Sequence, residues 1–365
     1  MEVFHLAKLK KTPTPKFMKF AVSILHWYDQ NKRDLPWRQN PIPYHIWLSE
    51  ILMQQTRIEQ GTPYYLRFVE AFPTVHDLAA APEEKVMKLW QGLGYYNRAR
   101  NLHATARYIS RECGGVFPDS YKDLLSLKGV GSYTASAISS ICFGEARAVV
   151  DGNVYRVLSR YYGIDSPIDR PPGQREFQAL ADSLLPKSRR GDYNQGIMEF
   201  GAMQCRPKNP GCSSCPLQEG CQAHRQGRIA QLPVKAGKTK VKKEYLHFAL
   251  ALDPQGEFRV QQRPVKGYWP RLYEFPGLKL DREESSERIQ ESLRKELNLE
   301  PAMELRQLHE QPIKHQLSHR ALQLYFWSTE EVHEMGVEQK QKALSKIEGF
   351  AWPVPLAEFL QRMKF

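Results

Sequence analysis

The chain lacks any apolar run near the ~20 residues that a membrane-spanning helix needs, which excludes a helical membrane protein. Its opening stretch, Met1 to Phe20, breaks the apolar residues with Lys and Pro, unlike a signal peptide, and no long Arg-rich presequence precedes it. An intracellular site is therefore expected, and a bacterial cytoplasm or nucleoid before others. Cysteine is scarce, with six in 365 residues, too few for a disulfide scaffold. There is no internal repeat and no long low-complexity tract, which excludes solenoid and fibrous architectures. Acid is in deficit: 40 Asp and Glu against 52 Lys and Arg leave a net charge of +12 and point to a polyanionic partner, nucleic acid first. Excess lysine also serves solubility, so charge alone does not decide.

Strand alternation is missing before the cysteines. Phe20, Ile24 and Trp27 recur at helical spacing, as do Phe177, Leu180, Ala181, Leu184 and Leu185, until Pro186 stops that second helix. The first domain, residues 1–232, reads as all-α. Residues 233–244 carry five lysines and no acid from Pro233 to Lys243, a solvated linker or a strip that lies along phosphates. In residues 245–365, His247 to Leu252 and Phe258 to Gln262 read as strands. Ile289, Leu293 and Leu297 form a helical stripe, and Leu322, Leu324 and Phe326 alternate as a strand, so this domain reads as α+β.

Several residues carry chemistry. Cys205, Cys212, Cys215 and Cys221 converge in a turn-rich stretch at C-x6-C-x2-C-x5-C spacing, suited to tetrahedral zinc or to a cubane cluster. Cys113 and Cys142 read as scattered core thiols. Gly129 and Gly131, flanking Val130, precede an apolar helical run; they form either an ordinary interhelical turn or a place where helix-start amides meet phosphate. Asp151 follows the apolar run Ala148 to Val150 at a turn before another helix, as a cap or a catalyst. Glu50 lies in an apolar helical segment, Ile46 to Thr56, with Gln54 one turn further along the same face. Desolvation there would favour the protonated acid that general-acid catalysis at neutral pH requires, whereas an arbitrary Glu is a solvated helix residue.

The cysteine spacing resembles the [4Fe–4S] loop of the endonuclease III and MutY glycosylases, and Leu127 to Ala135 resembles the hairpin of the same helix-hairpin-helix superfamily. The segment Ser49-Glu-Ile-Leu-Met-Gln-Gln-Thr56 resembles the catalytic segment of MutY-type adenine DNA glycosylases. That resemblance implies catalytic roles for Glu50, Asp151, Tyr133 and Asn153. It implies an adenine-reading Gln195 in Asn194 to Gly201, substrate contacts from Gln55, Arg38 and Trp37, and DNA contacts from Gly129, Val130, Gly131, Gln54, Thr56 and Tyr95. Trp37 reads equally as core. Tyr133 stands where endonuclease III relatives carry the lysine that forms a Schiff base, so a monofunctional glycosylase is implied, with Lys128 a weak substitute. The implied cofactor is a [4Fe–4S] cluster on Cys205, Cys212, Cys215 and Cys221. The implied partner is duplex DNA holding an adenine:8-oxoguanine mispair, bound by a monomer with no membrane contact.

Glu274-Phe-Pro-Gly277 resembles the opening of the Nudix fold. Aligned from Gly277, the metal-binding box keeps Glu283 but places Ser292 and Lys295 where two carboxylates belong, so hydrolysis of nucleotides is not expected. Lys314 to His319 resembles the MutY segment that inspects 8-oxoguanine, with Leu317 where relatives often carry Phe, ahead of Ser318 and His319. Three rivals stay open: a lyase-competent endonuclease III relative, a non-catalytic iron–sulfur DNA-binding protein, and a residual Nudix hydrolase.

Overall fold

The computed structural model describes residues 15–39, 41–237, 241–253, 255–347 and 349–363; most of the segment read against a signal peptide, and linker residues 238–240, lie outside the described residues. The chain divides into two compact units, residues 1–80 with 101–238 and residues 81–100 with 239–365. In chain order the α-helices before the first strand are α1 (Pro15–Asn31), α2 (Pro36–Gln39), α3 (Pro43–Leu52), α4 (Ile58–Ala71), α5 (Val75–Ala80), α6 (Glu83–Trp90), α7 (Asn97–Glu112), α8 (Tyr121–Ser126), α9 (Ser132–Cys142), α10 (Gly152–Tyr162), α11 (Pro171–Leu184), α12 (Arg190–Met203) and, just after the cysteine loop, α13 (Gln222–Arg225). Helix α6 and the turn after it group with the second unit, and α7 runs across the division.

The first unit is all-helical, as its periodicity implies. Phe20, Ile24 and Trp27 of α1 and Phe177, Leu180, Ala181 and Leu184 of α11 are buried in one core with Val157 and Leu158 of α10 and Ile197 and Phe200 of α12. Each of the Val, Leu, Ile and Phe side chains among them contributes about 1.5–3 kcal/mol through the water it leaves. Helix α11 starts at Pro171, whose missing N–H costs nothing in a first turn, and stops two residues before Pro186.

In the second unit, β1 (Lys242–Leu250), β4 (Gly277–Leu280), β5 (Leu305–Gln307), β6 (Ile313–Gln316) and β7 (Arg320–Thr329) build one sheet, ordered β4-β1-β7-β5, with β6 also on β7. Strands β2 (Gln261–Gln262) and β3 (Tyr273–Glu274) pair separately. Strands β1 and β7 run parallel and the other pairs antiparallel. Central β1 is buried from Glu244 to Leu250, as a strand covered on both faces must be. Helix α14 (Ser286–Leu297) packs Ile289, Leu293 and Leu297 against Ala249, Leu305 and Trp327. Ser285 caps its start, and Asn298, left-handed at φ 52°, ends it. Helices α15 (Glu330–Glu334), α16 (Val337–Ile347) and α17 (Val354–Arg362) follow, and Phe359 stacks on Phe326.

Two strand boundaries differ from the sequence expectation. Strand β1 begins at Lys242 rather than His247, because Lys242 to Glu244 pair with Arg320 to Leu322, a partner that local pattern cannot reveal. From Phe258 to Gln262 only Gln261 and Gln262 enter a ladder; Phe258 makes a single bridge to Leu252, and the Arg259 guanidinium instead donates to the carbonyls of Leu252 and Leu297. Gly277 faces Phe248, and a Cβ there would lie 2.1 Å from the His247 carbonyl oxygen, so glycine is required for β4 to reach β1. Gly277→Ala is expected to cost about 1–3 kcal/mol in urea denaturation, the usual price of overpacking; an unchanged midpoint would contradict this contact.

Candidate active site and nucleic-acid interface

Helix α3 buries Tyr44, Ile46, Trp47, Leu48, Ile51 and Leu52 and leaves Glu50 only partly exposed. Burial raises the Glu50 carboxyl from 4.5 to about 7; a hydrogen bond with Tyr133 and the charge of Arg38 oppose the rise, and the charge of Asp151 adds to it. Tyr133, in the first turn of α9, also donates to the Met198 sulfur at 3.4 Å, and burial with the nearby carboxylates pushes its phenol well above 10. Helix α3 ends at Leu52, with the Met53 N–H closing on Ser49 and Gln55 turning left-handed at φ 57°. Gln54 therefore lies in the turn beyond the helix rather than one turn along its face, and its amide donates to Thr134 Oγ1 at 3.2 Å. Gln55 is exposed, and the Thr56 hydroxyl bonds the Gln54 carbonyl at 3.4 Å.

The hairpin joins α8 to α9. Gly129 takes φ 80° and is exposed with Gly131, while Val130 between them is buried and anchors the turn. Gly131 starts α9 with no side-chain cap, so the first amides of the helix keep their capacity to bind an anion.

Asp151 is the N-cap of α10: Oδ1 accepts the Val154 N–H at 2.7 Å and Oδ2 accepts the Asn153 amide at 2.7 Å. The cap reading thus holds, and it leaves both oxygens further lone pairs. Burial raises this carboxyl although these hydrogen bonds lower it. Asn153 Oδ1 accepts from Arg156, which also holds the carbonyls of Gly201 and Cys205 at 2.6 and 2.7 Å. One turn on, buried Arg160 donates to the carbonyls of Leu232, Arg206 and Pro207. A single helix thus presents Asp151 at its start and braces the cysteine loop along its length.

Helix α12 carries Gln195. Its carbonyl oxygen accepts from Arg38 Nε at 3.0 Å, and Arg38 is gripped by Glu199, one helical turn beyond Gln195, through Nη2 to Oε2 at 3.0 Å. Glu199 also binds Arg33 by two side-chain hydrogen bonds of 2.7 and 2.9 Å. Burial alone would raise the Glu199 carboxyl, but hydrogen bonds from Arg33 and then Arg38 draw it down to about 2. Trp37 is buried and packs edge-on against Tyr65. A cavity of about 530 Å³ opens beside Arg38 and Gln195, within the range of small-molecule sites, and Tyr28, Lys32 and Arg33 also line it. Glu199, Met198, Arg156 and Arg160 escaped the sequence reading; an acid set among apolar residues one turn from Gln195 was the available signal for Glu199.

Cys205, Cys212, Cys215 and Cys221 are free thiols on one loop, and Cys205, Cys215 and Cys221 pack against the helical core. Burial raises Cys215 to about 11, and burial followed by the charge of Cys205 raises Cys212; Cys215 and Cys221 likewise sense their neighbours. The Arg160 guanidinium lies 3.5 Å from Cys205 Sγ. Burial and the proximity of the four sulfurs disfavour their thiolate forms, so a cationic centre that takes sulfur ligands is what would let them ionise together. Among the described residues no three or more His, Cys, Asp or Glu are drawn into metal-ion geometry.

In the second unit, β6 and β7 form a hairpin whose two-residue tip is Ser318-His319, closed by Leu317 and Arg320. Both tip residues are exposed, and Leu317 is half-buried. The Tyr95 hydroxyl, on a left-handed residue at φ 48°, is 2.7 Å from Ser318 Oγ, so two candidates separated by 223 positions meet. A cavity of about 600 Å³ on this sheet is lined by Lys242, Lys279, Arg282 and Arg320, whose charges are already paired with Asp281, Glu244 and Glu284.

Residues 48–185 match the family model of the HhH-GPD superfamily base excision DNA repair proteins, and residues 247–362 match the NUDIX domain. An adenine DNA glycosylase of Buchnera aphidicola from Schizaphis graminum is 35% identical over 259 residues, 71% of this chain and 74% of that protein. The human adenine DNA glycosylase is 43% identical over 222 residues, 58% of this chain and 41% of that protein. The structure of a thermostable thymine-DNA glycosylase aligns at a TM-score of 0.54 and 32% identity, covering 59% of this chain and all of that one. An endonuclease III bound to DNA aligns at 0.51 and 23% identity, covering 60% and 99%, a likeness of fold alone.

The raised Glu50 carboxyl has a cost in stability. The folded protein holds a proton that the unfolded chain releases above about 4.5, so no stability is lost below 4.5 and the cost is incurred as pH rises through about 7. Glu50→Gln removes the cost of ionisation and is expected to gain about 2–3 kcal/mol over wild type in moving from pH 4.5 to pH 8. Paired thermal melts across that range check this; a constant offset would contradict the raised carboxyl.

Proposed function

We propose that this chain, which belongs to the adenine DNA glycosylase family of base excision repair, hydrolyses the N-glycosidic bond of adenine mispaired with 8-oxoguanine or guanine in DNA and has no strong strand-cleaving lyase activity. The observation that carries the mechanism is a partly buried Glu50 held near pH 7 within the field of Asp151. Neutral Glu50 donates its proton to N7 of the departing adenine. The bond to the sugar then breaks through an oxocarbenium-like state, which carboxylate Asp151 stabilises from its capped position. Tyr133 steadies Glu50, and the resulting Glu50 carboxylate takes a proton from the attacking water.

The target nucleotide must leave the stack first, at a cost of a few kcal/mol that is least in a mispair. The hairpin amides at Gly129 to Gly131 suit a backbone phosphate, and Gln54, Thr56 and exposed Tyr95 suit the DNA around the target. Gln195 and Arg38 suit adenine, whose edge pairs an N–H donor with a nitrogen acceptor. Ser318 and His319, set on a turn tip behind Leu317, suit the altered edge of 8-oxoguanine. The phenol of Tyr133 cannot form a Schiff base, which supports monofunctional hydrolysis. On α14, Ser292 and Lys295 stand where two carboxylates of the metal-binding box belong, which supports recognition over hydrolysis in the second unit.

The donor set of Cys205, Cys212, Cys215 and Cys221 suits either a single ion or a cluster, and the resemblance of its spacing to the endonuclease III and MutY loop supports a resident [4Fe–4S] cluster. When bound, such a cluster supplies a crosslink that ties the loop together. Arg156 and Arg160 transmit the order of that loop to Asp151.

Single-turnover excision on duplexes differing only in the target pair tests the reading. Adenine opposite 8-oxoguanine should be removed fastest, adenine opposite guanine more slowly, and cytosine opposite 8-oxoguanine not at all, with strand breaks appearing only after alkali. Glu50→Gln should lower the rate about 10²–10⁴-fold and spare DNA binding. Breaks without alkali would contradict the monofunctional assignment, and retained turnover in Glu50→Gln the role of the acid.

A further inference from the structure

Glu199 is 2% exposed, and the cavity beside Gln195 is lined without it. A buried carboxylate of this kind is expensive to keep unless its partners are well placed, and here they are two arginines in forked geometry. The donors of Arg38 are nearly all committed: Nη1 to the Arg33 carbonyl at 3.1 Å and to Glu199 Oε1 at 3.4 Å, Nη2 to Glu199 Oε2, and Nε to Gln195. Arg38 has no acceptor, so the Gln195 atom facing its Nε must be the amide oxygen. A flip of that amide would set its NH₂ group against the Nε–H, donor against donor. The amide is therefore held with one oxygen lone pair engaged, and it offers its remaining lone pair and its NH₂ group in a fixed order.

We propose that Glu199 is a positioning residue for base choice: by clamping Arg38 it fixes the direction of the Gln195 amide, so that the pocket accepts 6-aminopurines and refuses 6-oxopurines. Adenine presents an N6–H donor beside the N1 acceptor, which the fixed amide matches while N7 is left to Glu50. Hypoxanthine differs at this edge alone: O6 is an acceptor and N1 carries hydrogen, so a match would need the flipped amide. A site that leaves a buried polar group unmatched discriminates strongly against the wrong base. The inference rests on the reading of Gln195 as the amide that meets the flipped base.

The test compares single-turnover excision of adenine and of hypoxanthine, each opposite 8-oxoguanine in the same duplex, for wild type, Glu199→Gln and Glu199→Asp. Wild type should prefer adenine. Glu199→Gln should narrow that preference by roughly 10- to 100-fold, the range that one bidentate contact governs, and Glu199→Asp should recover most of it. Arg38→Lys keeps a cation against Glu199 but has no Nε donor, and it should narrow the ratio likewise even if Glu199→Gln does not fold. A Glu199→Gln or Arg38→Lys protein that slows both bases equally, with the ratio intact, would show a purely structural role and overturn the inference while leaving the adenine reading standing. Wild type that excises no adenine would overturn the reading and the inference together.

Discussion

Withdrawing a carboxylic acid from water is costly once it ionises, and the helical unit is arranged to bear that cost at Glu50. Its helix is apolar on nearly every side, and α9 closes over it with Tyr133. The acid keeps its proton up to about pH 7 because burial outweighs the pull of the Tyr133 hydrogen bond and of Arg38. Asp151 lies in the same field, and burial raises its carboxyl too, but two short hydrogen bonds oppose that rise and favour its charged form. Two carboxyls in different surroundings can thus play different parts, one donating a proton and one stabilising positive charge.

The second constraint is carried by α10. Its N-cap is Asp151, and Arg156 and Arg160 run from that helix into the carbonyls around Cys205 to Pro207 and Leu232. Each of these links is a charged donor on a backbone carbonyl, the stronger class of hydrogen bond. The cysteine loop, the end of α12 and the catalytic turn are therefore one mechanical assembly. The grip of Glu199 on Arg33 and Arg38 is its counterpart on the face of α12 that carries Gln195.

Much of this was readable in the sequence where a residue's role depends on its neighbours in the chain. The stripes at Phe20, Ile24 and Trp27 and at Ile289, Leu293 and Leu297 name buried helix faces, and Asp151 announces a helix start. What escaped depends on distant partners. The end of α3 at Leu52 is set by backbone geometry at Gln55, which an apolar pattern does not encode. Strand β1 reaches back to Lys242 because β7 lies beside it, and Glu199 gains its meaning from arginines more than 150 residues away. The meeting of Tyr95 with Ser318, and the grouping of residues 81–100 with the second unit, are likewise tertiary facts.

The most direct test of the central claim is the pH dependence of single-turnover adenine excision between pH 5 and 9. A general acid works in its protonated form, so the rate constant should hold on the acid side and fall about tenfold per unit above a midpoint near 7, where burial places Glu50. A profile flat to pH 9, or one already falling at the ordinary carboxylate value of 4.5, would contradict a neutral Glu50 as the proton donor.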